Sequence, residues 1–146
     1  MLMQEEKHMA ALDEVRRSLE VALKDPKGLL THQRLLMSAL SLGMQHLMEL
    51  WLHRSKAIKP GATVKHEWLA SEEKRLRIRL AGMLTKELSA IERSDSIIAF
   101  AREIERDRND IIYGAPLNSD LMLKQKIESF FELKKSIETS TGEPIW

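Results

Sequence analysis

One short segment of the chain combines side chains that can bind a phosphate group. It reads Arg108-Asn109-Asp110-Ile111-Ile112-Tyr113-Gly114. An arginine guanidinium donates hydrogen bonds in a planar fork that matches phosphate oxygens, and an asparagine amide both donates and accepts. Tyr113 is the only tyrosine in the chain, and its ring can donate a hydrogen bond or stack on a base. The segment is therefore the first candidate for a binding site.

Arg108 stands where the surrounding pattern calls for an apolar side chain. At steps of four, three, four and three, the stripe consists of Ile97, Ala101, Ile104, Arg108 and Ile111. Burying an unpaired guanidinium costs several kcal/mol, so the pattern predicts either an acidic partner such as Glu105 or a cleft that uses the charge. Gly114 suits a left-handed helix cap and Pro116 cannot continue a helix. The helix that carries Arg108 is therefore predicted to end here.

The run from Arg108 to Tyr113 resembles the motif of the HEPN domain superfamily. That motif is an arginine, usually followed by a polar residue, with a histidine five positions after the arginine near the end of a late helix. Arg108 and Asn109 match it in type and spacing. The resemblance implies an up-down helical bundle that often forms a homodimer. For the ribonucleases of the family it implies metal-independent RNA cleavage, in which arginine stabilises phosphate charge and histidine moves protons.

The sequence departs from the motif at position 113, which carries Tyr where those ribonucleases carry His. Free tyrosine has a pKa of about 10 and is a poor general base near neutral pH. We therefore expect a HEPN-like domain that binds nucleotide, RNA or a protein partner without efficient catalysis. The expected binding residues are Arg108, Asn109, Tyr113 and Arg102. The alternatives are a toxin-like, metal-independent ribonuclease that uses Arg108 and Tyr113 across a dimer cleft, and a purely structural interaction bundle.

The resemblance also implies partners of the toxin–antitoxin kind, either an antitoxin or a nucleotidyltransferase. In some family members the nucleotidyltransferase modifies a tyrosine two residues beyond the motif histidine. Ala115 holds that place here, so this modification does not carry over. No cofactor is expected.

A second group of polar residues lies on the second predicted helix. His46, Glu49 and His53 follow one another at steps of three and four, which places them on one face. Imidazole and carboxylate groups at this spacing can bind a metal. Three ligands on one helix rarely converge without help from a second helix, and the sequence shows no second cluster. We therefore expect structural histidines and no metal site.

A third group is basic. Arg75, Arg79 and Lys86 are predicted to fall along one helix face, which is a potential track for a nucleic-acid backbone. Glu72, Glu73 and Glu87 balance this charge, and no aromatic residues are interleaved for base stacking. The prediction is a solvated face.

Helices must position these groups, since apolar residues recur with the helical period throughout. We predict an all-α, up-down bundle of about five helices. The first stops near Asp25, the second runs from about Leu29 to His53, the third from the low seventies to the early nineties, the fourth from about Ser94 through Tyr113, and the fifth opens at 118–120. The second helix is apolar nearly all round, so it is either the central element or part of a subunit contact. Such a surface predicts a homodimer.

Length, composition and charge limit the number of domains, the cysteine chemistry and the kinds of partner. The 146 residues fit one domain, predicted as a bundle over 1–139 with a flexible tail over 140–146. There is no cysteine, which excludes disulfides and thiolate chemistry. A net charge of +1 argues against nucleic-acid binding through overall charge. With no signal peptide or membrane span expected, the predicted location is the cytoplasm.

Overall fold

The fold is an all-α helical bundle. The computed structural model describes residues 2–146, with the side chains of residues 4–146. The α-helices are α1 (Leu2–Lys24), α2 (Gln33–Arg54), α3 (His66–Ala70), α4 (Glu73–Met83), α5 (Ser94–Glu105), α6 (Arg108–Tyr113) and α7 (Leu121–Thr141). Short 3₁₀ turns cover Leu29–His32 and Leu88–Ala90. The five longest helices among the described residues, α1, α2, α4, α5 and α7, correspond to the five predicted ones.

α2 is the central helix of the bundle. It contacts α1, α5, α6 and α7, and large side chains around most of its circumference are buried, including Met37, Met44, Leu47 and Trp51. This explains why its sequence is apolar nearly all round, because helices cover it on several sides. Most of the surface that predicted a homodimer is therefore covered within the chain. Leu35 and Leu42 are the exceptions on this helix, with exposed fractions of 79% and 47%.

The predicted third helix is too long. α4 ends at Met83, and Leu84 continues in an extended conformation that forms an isolated antiparallel bridge with Ile58. The Lys59 amide donates to the Met83 carbonyl and the Thr85 amide donates to the Ala57 carbonyl, at 2.9 and 2.7 Å. These bonds replace the helical ones that the apolar spacing alone had suggested. Apart from this bridge, the described residues form no strand.

The predicted fourth helix is two helices. α5 ends at Glu105, Arg106 and Asp107 form a turn, and Asp107 adopts a left-handed conformation with φ of 64° before α6 begins at Arg108. The prediction that Arg108 continues one apolar helix face with Ile97, Ala101 and Ile104 is therefore wrong. The predicted left-handed cap at Gly114 is also wrong, because its φ is −88°. Gly114 is required instead because a Cβ there would collide with the Asp110 carbonyl.

A buried lysine stabilises this break. Lys126 of α7 is only 2% exposed, and its ammonium donates to the carbonyls of Glu103 and Arg106. The last carbonyls of a helix have no partner within it, and a cation at that end also interacts favourably with the helix dipole. Burial lowers the pKa of Lys126, and the neighbouring carboxylates of Glu103 and Asp107 oppose that shift.

The residues predicted to form a loose tail instead pack on the bundle. α7 continues to Thr141, Ile145 is buried, and the Trp146 ring stacks on Phe130 with centroids 6.1 Å apart. The Glu138 carboxylate accepts the Ile145 amide at 2.6 Å. Apolar side chains at the end of the chain bury surface here, which the prediction of a flexible tail did not take into account.

No helix in the described part of the chain is long and apolar enough to cross a bilayer.

Candidate functional site

Arg108 lies at the start of α6, beside the break that separates it from α5. Its side chain is 19% exposed, and its Nε lies 3.9 Å from a carboxylate oxygen of Glu105, too far for a hydrogen bond. Nη1 donates to the side-chain oxygen of Asn109 at 2.8 Å, whereas Nε is buried without a hydrogen-bond partner. A guanidinium offers five donors. Most of the donors of Arg108 are therefore unused by the described residues.

Glu105 is the acidic centre of this region. It is 3% exposed, and its two oxygens accept hydrogen bonds from different elements. The Ser41 hydroxyl of α2 donates to Oε2 at 2.8 Å, and Oε1 lies 2.6 Å from Nδ1 of His66 at the start of α3. The same Oε1 is the atom nearest to Arg108. One buried carboxylate thus holds a histidine and stands beside the candidate arginine.

The geometry at His66 can support proton transfer. Its Nδ1 faces the buried carboxylate, which fixes the ring orientation and favours a proton on that nitrogen. Its other nitrogen lies 3.7 Å from Glu67, and the side chain is 31% exposed. A carboxylate-held imidazole with one accessible nitrogen is the arrangement that general acid–base catalysis uses.

The other three predicted binding residues lie at different places, and only one of them contacts Arg108. Asn109 contacts Arg108 through the bond described above. Arg102 does not reach them; it donates to the carbonyls of Leu69 and Ser71 and so braces α3 against α5. Together with Arg106 it lines a cavity of about 140 Å³ at the break. Tyr113, at the far end of α6, is 78% exposed.

His66, Ser41 and Lys126 were not singled out in the sequence. His66 is 39 residues away from its partner Glu105 along the chain, and no local pattern links them. Lys126 did leave a signal, because it lies three residues after Leu123 and four before Phe130, on the apolar face of α7. A lysine on such a stripe indicates a buried partner for the same reason as Arg108.

The basic track is not continuous. Arg79 lies over the ring of Trp68, with its guanidinium carbon 5.9 Å from the ring centroid. Lys86 falls beyond the end of α4 at Met83 and so cannot share a helix face with Arg75 and Arg79. The prediction of one aligned face over Arg75, Arg79 and Lys86 is therefore wrong.

The histidine group of α2 gains a member from α1. His8 is 2% exposed, with Nδ1 at 2.9 Å from Nδ1 of His46 and Nε2 at 3.5 Å from Oε2 of Glu49. The ring of His53 lies 5.3 Å from that of His8, measured between centroids. Burial, reinforced by the nearby charges of His46, His53 and Lys7, lowers the pKa of His8 to about 4. Burial is also the main cause of a lowered pKa at His46 and His53 and of a raised pKa at Glu49.

The described residues thus contain two polar clusters, each built around a buried carboxylate, Glu105 in the first and Glu49 in the second. The first joins Arg108, Asn109, Glu105, Ser41 and His66 where α2, α3 and α5 meet α6. The second joins His8, His46, Glu49 and His53 between α1 and α2. Comparison of the chain with protein-family models, with curated proteins and with solved structures found no match.

Proposed function

We propose that this chain is a HEPN-like domain that binds nucleotide or RNA through Arg108, without efficient catalysis. The proposal is supported mainly by the hydrogen-bond donors of Arg108, most of which are unused by the described residues. Its guanidinium is partly exposed, makes one hydrogen bond, to Asn109, among the described residues, and leaves a buried Nε unpaired. A phosphate oxygen is the acceptor that such a fork suits best.

Tyr113 supports binding better than proton transfer. With 78% of its surface exposed, its ring has a free face on which an unpaired base can stack. Phenols in general are poor general bases at neutral pH. A protein partner of the toxin–antitoxin kind, an antitoxin or a nucleotidyltransferase, remains part of the same proposal because it would approach this exposed end of α6.

The binding proposal predicts a selective effect of Arg108→Ala. We expect affinity for a short single-stranded RNA to fall by about 10-fold or more, the equivalent of a charge-assisted hydrogen bond. Stability should change little, because Glu105 keeps its bonds to Ser41 and His66. Fluorescence anisotropy and a melting curve measure the two quantities.

Arg17→Ala is the matched control for that experiment. Its side chain is 76% exposed on α1 and is paired with Asp13, so the change in net charge is the same at a distant place. Equal losses of affinity in both variants would mean that the loss comes from the change in net charge and not from Arg108 itself. A collapse of stability in Arg108→Ala would make Arg108 a structural ion-pair partner and refute the site.

A second candidate function is metal-independent RNA cleavage, with His66 in place of Tyr113 as the group that moves protons. The specific observation in its favour is that His66 and Arg108 both approach the same oxygen of Glu105. An imidazole oriented by a carboxylate beside a guanidinium can deprotonate a 2′-hydroxyl while the guanidinium stabilises phosphate charge. Both groups come from one chain, so this arrangement needs no second copy.

RNA cleavage is tested with His66→Gln, which keeps a polar side chain and removes the imidazole. If the second candidate is correct, labelled RNA is cut by the wild-type protein in the presence of a chelator, and the rate falls by about 100-fold or more in the variant. Tyr113→Phe should retain the rate. If the wild-type protein binds RNA and leaves it intact, the binding function alone stands.

We also propose that the chain forms a homodimer through the exposed side of α2. Leu35 and Leu42 lie seven residues apart, which places them on one face two turns apart. Val21 of α1 is 63% exposed and borders a groove with Leu35. Exposed apolar groups in one place mark an interaction surface.

Sedimentation equilibrium tests the dimer. We expect the wild-type protein to sediment at twice the 16.8 kDa of one chain and Leu35→Lys to sediment as a monomer, because a charge at the centre of a two-fold contact faces its own copy. Leu121→Lys, at another leucine that is 62% exposed, is the matched control and should leave the dimer intact. A wild-type monomer at micromolar concentration contradicts the proposal.

A further inference from the structure

The second polar cluster has the composition of a metal site. One donor atom each from His8, His46 and Glu49 lies within 4.8 Å of the other two. The donors come from two helices, α1 and α2, which supplies the second helix that the sequence pattern on α2 lacked. Donors at about 2.1 Å from a tetrahedral ion are about 3.4 Å apart. In this structure His8 faces the other two residues with different nitrogens, Nδ1 at 2.9 Å from Nδ1 of His46 and Nε2 at 3.5 Å from Oε2 of Glu49.

Two of the three side chains are placed for coordination. Nε2 of His8 is buried without a hydrogen-bond partner. Oε1 of Glu49 accepts the Val64 amide at 2.7 Å, which orients the carboxylate and leaves Oε2 directed to His8. Hydrogen bonds of this kind orient the ligands of known metal sites.

We propose that His8, His46 and Glu49 bind one divalent transition-metal ion, Zn²⁺ by preference, between α1 and α2. Two imidazole nitrogens and one carboxylate oxygen form a donor set that zinc accepts, whereas Mg²⁺ and Ca²⁺ require oxygen ligands. A single ion uses one nitrogen of His8, and the three donor atoms, which lie within 4.8 Å of one another, close to about 3.4 Å around it when it binds.

The surroundings provide an entry path and a fourth position. His46 is partly exposed, so an ion can reach the cluster from solvent on that side. His53 is one turn beyond Glu49, and its ring is close to that of His8. It is therefore the candidate for the fourth ligand. Among the described residues, Lys7 is a cation that acts on His8, His46 and Glu49, and its side chain is exposed to solvent.

The charge balance also suits a dication. Glu49 is a direct ligand, and the carboxylates of Glu14 and Glu5 act on His46 and His53 respectively. Bound here, the ion would join α1 to the central helix, and two of its three ligands, His8 and Glu49, are buried side chains. The site is therefore structural, and the ion stabilises the folded chain over the unfolded one.

The test uses untagged, chelator-treated protein and Co²⁺ as a spectroscopic probe, followed by displacement with Zn²⁺. We expect one Co²⁺ per chain, visible absorption bands of a low-coordinate site, loss of those bands on addition of Zn²⁺, and a higher melting temperature with Zn²⁺. His46→Gln should weaken Zn²⁺ binding by about 10-fold or more. His46 is the preferred variant because it is partly exposed and its replacement preserves the fold more readily than that of His8.

His32→Gln is the matched control, since His32 is paired with Asp25 at 2.7 Å in another part of the bundle. Its Zn²⁺ affinity should equal that of the wild-type protein. The proposal is overturned if the wild-type protein gives no Co²⁺ bands, or if His46→Gln and Glu49→Gln, both folded by circular dichroism, bind Zn²⁺ as tightly as the wild-type protein does. It is equally overturned if His32→Gln removes the bands, because the ion would then occupy a different site.

Discussion

Replacing Glu105 with alanine is expected to lower the free energy of unfolding by on the order of 3 kcal/mol. Three groups depend on this one carboxylate: the buried hydroxyl of Ser41, Nδ1 of His66 and the guanidinium of Arg108. The variant leaves the Ser41 donor buried without an acceptor and removes the counter-charge of Arg108. Chemical denaturation of the variant and the wild-type protein measures the loss.

Glu103→Ala is the control for that experiment. Glu103 lies on the same helix, but its side chain is 39% exposed and forms a surface pair with Arg106 at 2.8 Å. Surface pairs of this kind contribute about 0–1 kcal/mol. Equal losses in the two variants would mean that Glu105 is not the centre of a buried network.

Replacing Lys126 with alanine is the second change with a large expected effect. The buried ammonium donates to the carbonyls of Glu103 and Arg106, and its loss leaves both partly buried carbonyls without that donor. Unsatisfied buried groups cost about 1–3 kcal/mol each, so we expect a total loss on the order of 3 kcal/mol. Because those carbonyls define the break before Arg108, RNA affinity should fall as well.

Lys124→Ala separates this effect from charge. Lys124 is two residues earlier on α7, 64% exposed and paired with Asp120. Denaturation and anisotropy on both variants should show near wild-type values for Lys124→Ala. If Lys126→Ala keeps wild-type stability, the lysine is not what holds the α5–α6 break.

The helices were predictable because their apolar residues recur with the helical period. Four apolar residues of the last helix recur with this period, and all of them are buried: Leu123, Ile127, Phe130 and Ile137. The break at Asp107 was not predictable, since a left-handed aspartate carries no distinctive neighbours and the apolar spacing continues across it. Helical period therefore located the elements better than it located their ends.

The candidate site was only partly predictable for a related reason. Arg108 and its neighbour Glu105 were visible because both lie in one stretch of sequence. His66 and His8 were not, because each meets its partners only after distant segments pack together. His46, Glu49 and His53, three of the four members of the second cluster, were visible in the sequence, and the packing of α1 against α2 added His8.

Binding of RNA phosphate groups by Arg108 can be observed by titrating ¹⁵N-labelled protein with a short single-stranded RNA. The arginine Nε–H resonances are followed, with that of Arg108 assigned from Arg108→Lys. We expect the Arg108 resonance to shift progressively and saturate, because phosphate binding at its guanidinium changes the surroundings of Nε, which has no partner within the described chain, while that of Arg17 stays in place. An Arg108 resonance that remains unchanged while RNA binds, or a protein to which RNA does not bind at all, would refute the proposed site.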